Sequence, residues 1–173
     1  MVRSLSGLIL AVIATPALSQ VEQNLSWCSS HATDDQVIAG CSALIDSGYG
    51  DRIAQAIEHF NRGNAYENKQ AYDLAIADYD QAIGLNPNYA YAFANRGIAY
   101  RRKQAFDRAI ADYDQAIKLN PGYAMAFYNR ALAYKAKQNY DRALADVEQF
   151  IRLDPSDPNG PTLRTEITAL RGQ

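Results

Sequence analysis

One interval governs what this chain can fold into: 34 residues. Ile76-Ala77-Asp78-Tyr79-Asp80-Gln81-Ala82-Ile83 returns as Ile110-Ala111-Asp112-Tyr113-Asp114-Gln115-Ala116-Ile117, and more loosely from Leu144 to Ile151. Asn61-Arg62, Asn95-Arg96 and Asn129-Arg130 keep the same spacing, and Pro87, Pro121 and Pro155 close each copy. A unit this short cannot bury its own apolar face, but stacked copies share a continuous core, so the period marks a solenoid. Within a unit, Ala75, Ile76, Tyr79, Ala82 and Ile83 recur at helical spacing, which predicts a helix with one buried face. Asp73, Asp107 and Asp141 stand where that helix begins, favoured by the helix dipole. Asn86-Pro87, Asn120-Pro121 and Asp154-Pro155 end it, because proline disfavours helix in the preceding residue. Small residues at Gly63, Ala75 and Ala82 let helix backbones approach, and Tyr66, Tyr72 and Tyr79 fill the space left between them. Most of the 12 tyrosines are therefore packing residues.

With these residues aligned, the unit resembles the tetratricopeptide repeat (TPR), two antiparallel helices in 34 residues. Starting at Ala56, the family's small eighth residue falls on Gly63, Gly97 and Ala131, and its tyrosine three later on Tyr66, Tyr100 and Tyr134. The small twentieth residue is Ala75, Ala109 and Ala143, the aromatic four further on is Tyr79, Tyr113 and then Val147, and the twenty-seventh is Ala82, Ala116 and then Phe150. The expected units are 56–89, 90–123 and 124–157. The resemblance implies an all-α fold, a right-handed superhelical solenoid of antiparallel helix pairs. Three departures stand out. The fourth residue is His59, Phe93 and Phe127 in place of tryptophan. The seventh is Arg62, Arg96 and Arg130, in step with Asp78, Asp112 and Asp146, which predicts an Arg–Asp pair in each unit. Val147 and Phe150 alter the last unit, where it meets a terminal cap.

Both ends read as caps. Leu163, Ile167 and Leu170 give residues 158–173 a short amphipathic helix with Arg164, Glu166, Thr168 and Arg171 outside. Val37, Ile38, Cys41, Leu44 and Ile45 form a similar stripe, so 34–47 reads as the second helix of a degenerate half-repeat within an N-terminal segment 20–55. Residues 1–19 read as a signal peptide: Arg3, the apolar run Leu8–Ala14, Pro16, and Ala17-Leu18-Ser19 before a cleavage. That run is too short to span a bilayer, which takes about 20 residues. Export leads to an oxidising compartment, periplasmic or extracellular. Cys28 and Cys41 are the only two cysteines, so a structural disulfide between them is expected. Their spacing is not C-x-x-C and only His31 is near, which argues against redox or metal chemistry.

Lys plus Arg is 17 against 19 for Asp plus Glu, a balance that sets aside electrostatic nucleic-acid binding. Hydrophobic residues are 48% of the chain, which excludes a disordered or collagenous protein. No G-x-S-x-G, H-E-x-x-H or phosphate-loop motif is present, so an enzyme, a metal site and a bound cofactor are not expected.

The resemblance implies that the first helix of each pair lines a concave groove. Its expected residues are Ile57, Phe60, Asn61 and Asn64 in the first unit, and Tyr91, Asn95, Ile98, Arg101 and Arg102 in the second. Met125, Tyr128, Asn129, Leu132 and Lys135 complete it in the third. Asn61, Asn95 and Asn129 form a ladder of amides, each able to pair with a peptide backbone whatever its side chains. The family's carboxylate clamp for chaperone C-termini requires lysines and an arginine beside asparagines. Asn64 and Asn95 match, but Phe60, Met125 and Asn129 stand at the cation positions, so that clamp is incomplete. Arg101, Arg102, Lys103, Lys135 and Lys137 still form a basic edge. The expectation is a non-catalytic module that binds an extended peptide or a partner helix, in envelope assembly or secretion. The alternative is a homo-oligomer, self-associating through Phe60, Tyr91, Met125 and Tyr128.

Overall fold

The computed structural model describes residues 16–29 and 31–173. Every regular element among them is an α-helix: α1 (Pro16–Trp27), α2 (Asp34–Ser47), α3 (Arg52–Asn68), α4 (Tyr72–Leu85), α5 (Ala90–Arg102), α6 (Phe106–Leu119), α7 (Ala124–Ala136), α8 (Tyr140–Leu153) and α9 (Asn159–Arg171). Each helix packs on the next in chain order, in antiparallel pairs. The stack closes up along the odd-numbered layer, where α3 touches α5 and α5 touches α7, so that layer is the inner face of the curve.

The repeated residues explain the repeated geometry. Helices α4, α6 and α8 each begin one residue before Asp73, Asp107 or Asp141 and end one residue before an Asn-Pro or Asp-Pro step. Each inner helix of those pairs stops at a glutamine in the left-handed region: Gln70, Gln104 and Gln138, with φ of 60°, 61° and 59°. Gly63 is required by contact: a Cβ there would lie 2.7 Å from Tyr79 Cε1, and a Cβ at Gly97 would lie 2.7 Å from Tyr113 Cε1. In the third pair both partners change together, to Ala131 and Val147, both buried.

The Arg–Asp pairs form as expected, each a two-pronged fork. Arg62 reaches Asp78 at 2.8 and 2.8 Å, Arg96 reaches Asp112 at 2.9 and 2.7 Å, and Arg130 reaches Asp146 at 2.8 and 2.6 Å. The three carboxylates are buried. Burial alone would raise the Asp78 carboxyl, but the hydrogen bonds from Arg62 and His59 hold it below its ordinary value. Each arginine also reaches back to the preceding pair: Arg62 to Ser42, Arg96 to Asp80, Arg130 to Asp114, and Arg164 on α9 to Glu148. A second ladder runs along another edge, through Lys69–Asp35, Lys103–Asp73, Lys137–Asp107 and Arg171–Asp141. Exposed pairs of this kind contribute little singly, because water screens them.

Helix α9 is thus more than a lid. Gly160, Arg164 and Arg171 occupy the same frame positions as Ala126, Arg130 and Lys137, so α9 takes the place of the first helix of a fourth pair. At the other end the expected second helix at 34–47 is present as α2, with a capping box at Thr33 and Gln36 and a left-handed Gly48 after it. Its partner α1 was not legible in the sequence, and the expected cleavage after Ser19 falls within it. The rest of that leader, residues 1–15, lies outside the described residues. Cys28 and Cys41 are bonded and tie the end of α1 to α2. At Gly40 a side chain would meet Asn24 O and Trp27 Cβ, each at 2.7 Å, so the two backbones touch there.

Candidate functional site

The inner layer presents α3, α5, α7 and α9 side by side, preceded by the end of α1. Ile57, Tyr91 and Met125 hold the second position of successive units and stand 44%, 49% and 43% exposed. Stacked inner helices bring the three into one apolar stripe. It is continuous with a chain of rings: Tyr79 to Phe60 at 6.0 Å, Phe60 to Tyr89 at 4.9 Å, Tyr89 to Tyr91 at 6.5 Å, and Tyr91 to Tyr123 at 4.9 Å. Tyr89 and Tyr123 come from the loops entering α5 and α7, and their 34-residue spacing was the missed signal. Burial, with Tyr91 close by, raises both phenols above the ordinary tyrosine value.

Other expected groove residues are less available. Tyr128 is half-buried and packs on Phe150 at 5.0 Å, and Leu132 is drawn into the cluster that α9 covers. Ile98 packs beside Tyr113, and Phe60 is committed to its ring neighbours. The exposed apolar surface is therefore narrower than the sequence implied, since Phe60 and Tyr128 do not belong to it.

The asparagine ladder is not three free amides. Asn61 donates to Cys28 O at 2.8 Å and so closes the end of α1. Asn95 donates to Asn64 Oδ1 at 2.7 Å, an oxygen that also accepts from the Tyr79 hydroxyl at 2.8 Å. Asn129 is buried, donates to Met125 O at 2.8 Å and accepts from Arg101 Nη2 at 3.3 Å. All three stitch inner helices together or to their own turn. A cavity of about 210 Å³ opens where α1, α2 and α3 meet, lined by Ser29, Ala32, Asp34, Val37, Asn61, Asn64, Ala65 and Asn68.

The basic edge is mostly neutralised. Lys103 pairs with Asp73, Lys137 with Asp107, and Lys135 with Glu166 at 2.8 Å. Arg101 and Arg102 have no acidic partner among the described residues; Arg102 is exposed and Arg101 half-buried. No group of three or more His, Cys, Asp or Glu among the described residues is placed to hold a metal. No described helix is long and apolar enough to cross a membrane.

Comparison with known proteins decides the family. Tetratricopeptide repeat models match residues 55–89 and 94–158. The chain belongs to the tetratricopeptide repeat family. Among solved structures, the TPR domain of Arabidopsis OM64 is similar at 22% identity and a TM-score of 0.68, over 69% of this chain and 98% of that one. That likeness is one of fold. The first TPR of Spaghetti (RPAP3), bound to the HSP90 peptide SRMEEVD, is similar at 27% identity and a TM-score of 0.69, over 70% and 96%. The second TPR domain of human RPAP3, in complex with the HSP70 peptide SGPTIEEVD, is similar at 30% identity and a TM-score of 0.66, over 68% and 98%. No curated protein matched the chain.

Proposed function

We propose that this TPR protein is a non-catalytic interaction module whose inner face binds an extended peptide segment of a partner protein. The observation that carries the reading is the stripe Ile57, Tyr91 and Met125: large apolar side chains left exposed at one repeated position on the inner layer. Two similar TPR domains are bound to peptides, which supports a peptide as the partner. Phe60, Met125 and Asn129 replace the cations of the clamp mode, so apolar anchors carry the affinity and the ligand need not end in a chaperone tail. Rigidity lowers the cost of binding, because a groove stitched by side-chain hydrogen bonds has little left to order. The Cys28–Cys41 bond supports a working place in an oxidising compartment after export, and envelope assembly or secretion is the process this reading assigns.

The test is selection of a phage-displayed random dodecapeptide library on the full chain, repeated with Ile57→Ser, Tyr91→Ser and Met125→Ser combined. These side chains are nearly half exposed and none belongs to the buried core, so the fold should survive, which circular dichroism checks. Loss of three anchors, each contributing about 1 kcal/mol or more, predicts at least a hundredfold weaker binding. Peptides that bind both chains equally move the site off the groove. A dimer seen by light scattering, and dissolved by the same changes, would instead assign the stripe to self-association.

A further inference from the structure

We propose that Arg101 receives a side-chain carboxylate, from an internal Asp or Glu of the bound peptide, at the middle of the groove. This rests on the groove reading above. Every lysine of the basic edge has an acid, and the seventh-position arginines have two hydrogen-bonding partners or more. Arg101 has no acid among the described residues, yet it is held in place. Its Nη2 donates to Asn129 Oδ1 at 3.3 Å, and Asn129 is buried and fixed in turn by its bond to Met125 O. Its Nε is buried beside the hydroxyl of Tyr113, a residue with no exposed surface, and neither group has any other partner.

A departure from the repeat leaves the phenol to Arg101. In the first unit the matching phenol, Tyr79, donates to Asn64. In the second unit Ile98 stands where Asn64 stood, so Tyr113 has lost its acceptor. Arg101 lies beside that phenol: burial drives the Tyr113 ionisation up, and the positive charge of Arg101 and a hydrogen bond from it pull it back down. Asn129 and Tyr113 are neutral, so they position the guanidinium and cannot neutralise it. What the site lacks is an anion. A carboxylate meets a guanidinium fork with two parallel hydrogen bonds, the strongest pairing this side chain makes. The groove continues past Arg101 on both sides, over α3 and over α7. A peptide running through it therefore presents a side chain at this point, not its terminus.

The test uses peptides taken from the dodecapeptide selection and measured by calorimetry on the full chain and on Arg101→Met. The selected set should share one internal Asp or Glu at a fixed distance from its apolar anchors. Changing that acid to its amide should weaken binding about 10- to 100-fold on the parent chain and leave affinity for Arg101→Met unchanged. Arg101→Lys should keep part of the discrimination, and serves if the methionine variant fails to fold. Asn129→Leu should reduce discrimination between acid and amide without weakening the amide peptide. An acid-to-amide change that costs the same on both chains overturns the assignment. So does a peptide that responds only to amidation of its C-terminus. Peptides that need the Ile57, Tyr91 and Met125 stripe but ignore Arg101→Met sink this inference alone, whereas peptides indifferent to the stripe sink the groove reading itself.

Discussion

Gly97→Ala adds one methyl group to the middle of α5 and tests why the second pair packs as it does. A Cβ at that position would lie 2.7 Å from Tyr113 Cε1 and 3.0 Å from both Cδ1 and Cζ. The ring has no exposed surface and is enclosed with Ala109, Ala133, Phe106 and Ile110, so it cannot swing aside. Two effects oppose each other. Alanine in a helix interior gains about 1 kcal/mol over glycine. Overpacking a closed core costs about 1–3 kcal/mol. The net is a destabilisation of about 1 kcal/mol, small enough to need a second handle. The third pair supplies it, because there alanine and valine replace the glycine and tyrosine at Ala131 and Val147. Tyr113→Val alone opens a cavity and costs about 3 kcal/mol. Made on that background, Gly97→Ala meets no ring and regains its helix preference, so the double variant should exceed Tyr113→Val by about 1 kcal/mol. The coupling between the two sites is then about 2 kcal/mol, well above the few tenths expected of independent sites. Urea titration followed by circular dichroism measures the cycle, and hydrogen exchange in α5 and α6 shows whether the loss is local, as a linear stack requires. If Gly97→Ala stabilises the parent by its full helix preference and adds independently to Tyr113→Val, close backbone approach is not the reason for glycine.

Other perturbations separate the remaining interactions. Tyr79→Phe should cost about 1 kcal/mol through its lost bond to Asn64, whereas Tyr113→Phe should cost less, since Ile98 gives its hydroxyl no amide acceptor; thermal melts of the two variants side by side decide this. Glu58 is buried where later units carry Ala92 and Ala126, and burial raises its carboxyl above 4.5 despite nearby His59. Its folded pKa exceeds its unfolded one, so its contribution to stability is lost as pH rises through the raised value; Glu58→Ala should stabilise most near neutrality and least in acid, and a stability loss at pH 7 would contradict it. Reduction of Cys28–Cys41 releases a loop whose closure contributes about 3 kcal/mol, and should abolish exchange protection in α1 while α5 to α9 keep theirs. Global unfolding in reductant would instead make α1–α2 a cornerstone of the stack.

The sequence reveals this fold because identical residues at identical offsets have identical partners. Arg62 and Asp78 stand 16 apart, and so do the next two pairs, which is why the three forks are legible in the sequence alone. The inner face does not obey that rule. Asn61, Asn95 and Asn129 share a frame position, yet one meets a carbonyl of α1, one meets Asn64, and one meets Arg101. The reason is geometric: an inner-face amide touches the neighbouring inner helix, and the facing residues are not repeated. Position nine is Asn64, Ile98 and then Leu132, and position twelve is Glu67, Arg101 and then Lys135. Helix α1 was illegible for a related cause, since no repeated offset points to it. Periodicity therefore specifies the scaffold, and the departures from it specify the surface. Two such departures meet in the second unit: isoleucine at position 98 takes the amide acceptor from Tyr113, and arginine at position 101, where the first unit has Glu67, brings a cation that no acid of the described residues pairs. Ligand preference in a repeat protein of this kind should be sought first at the positions where its copies disagree.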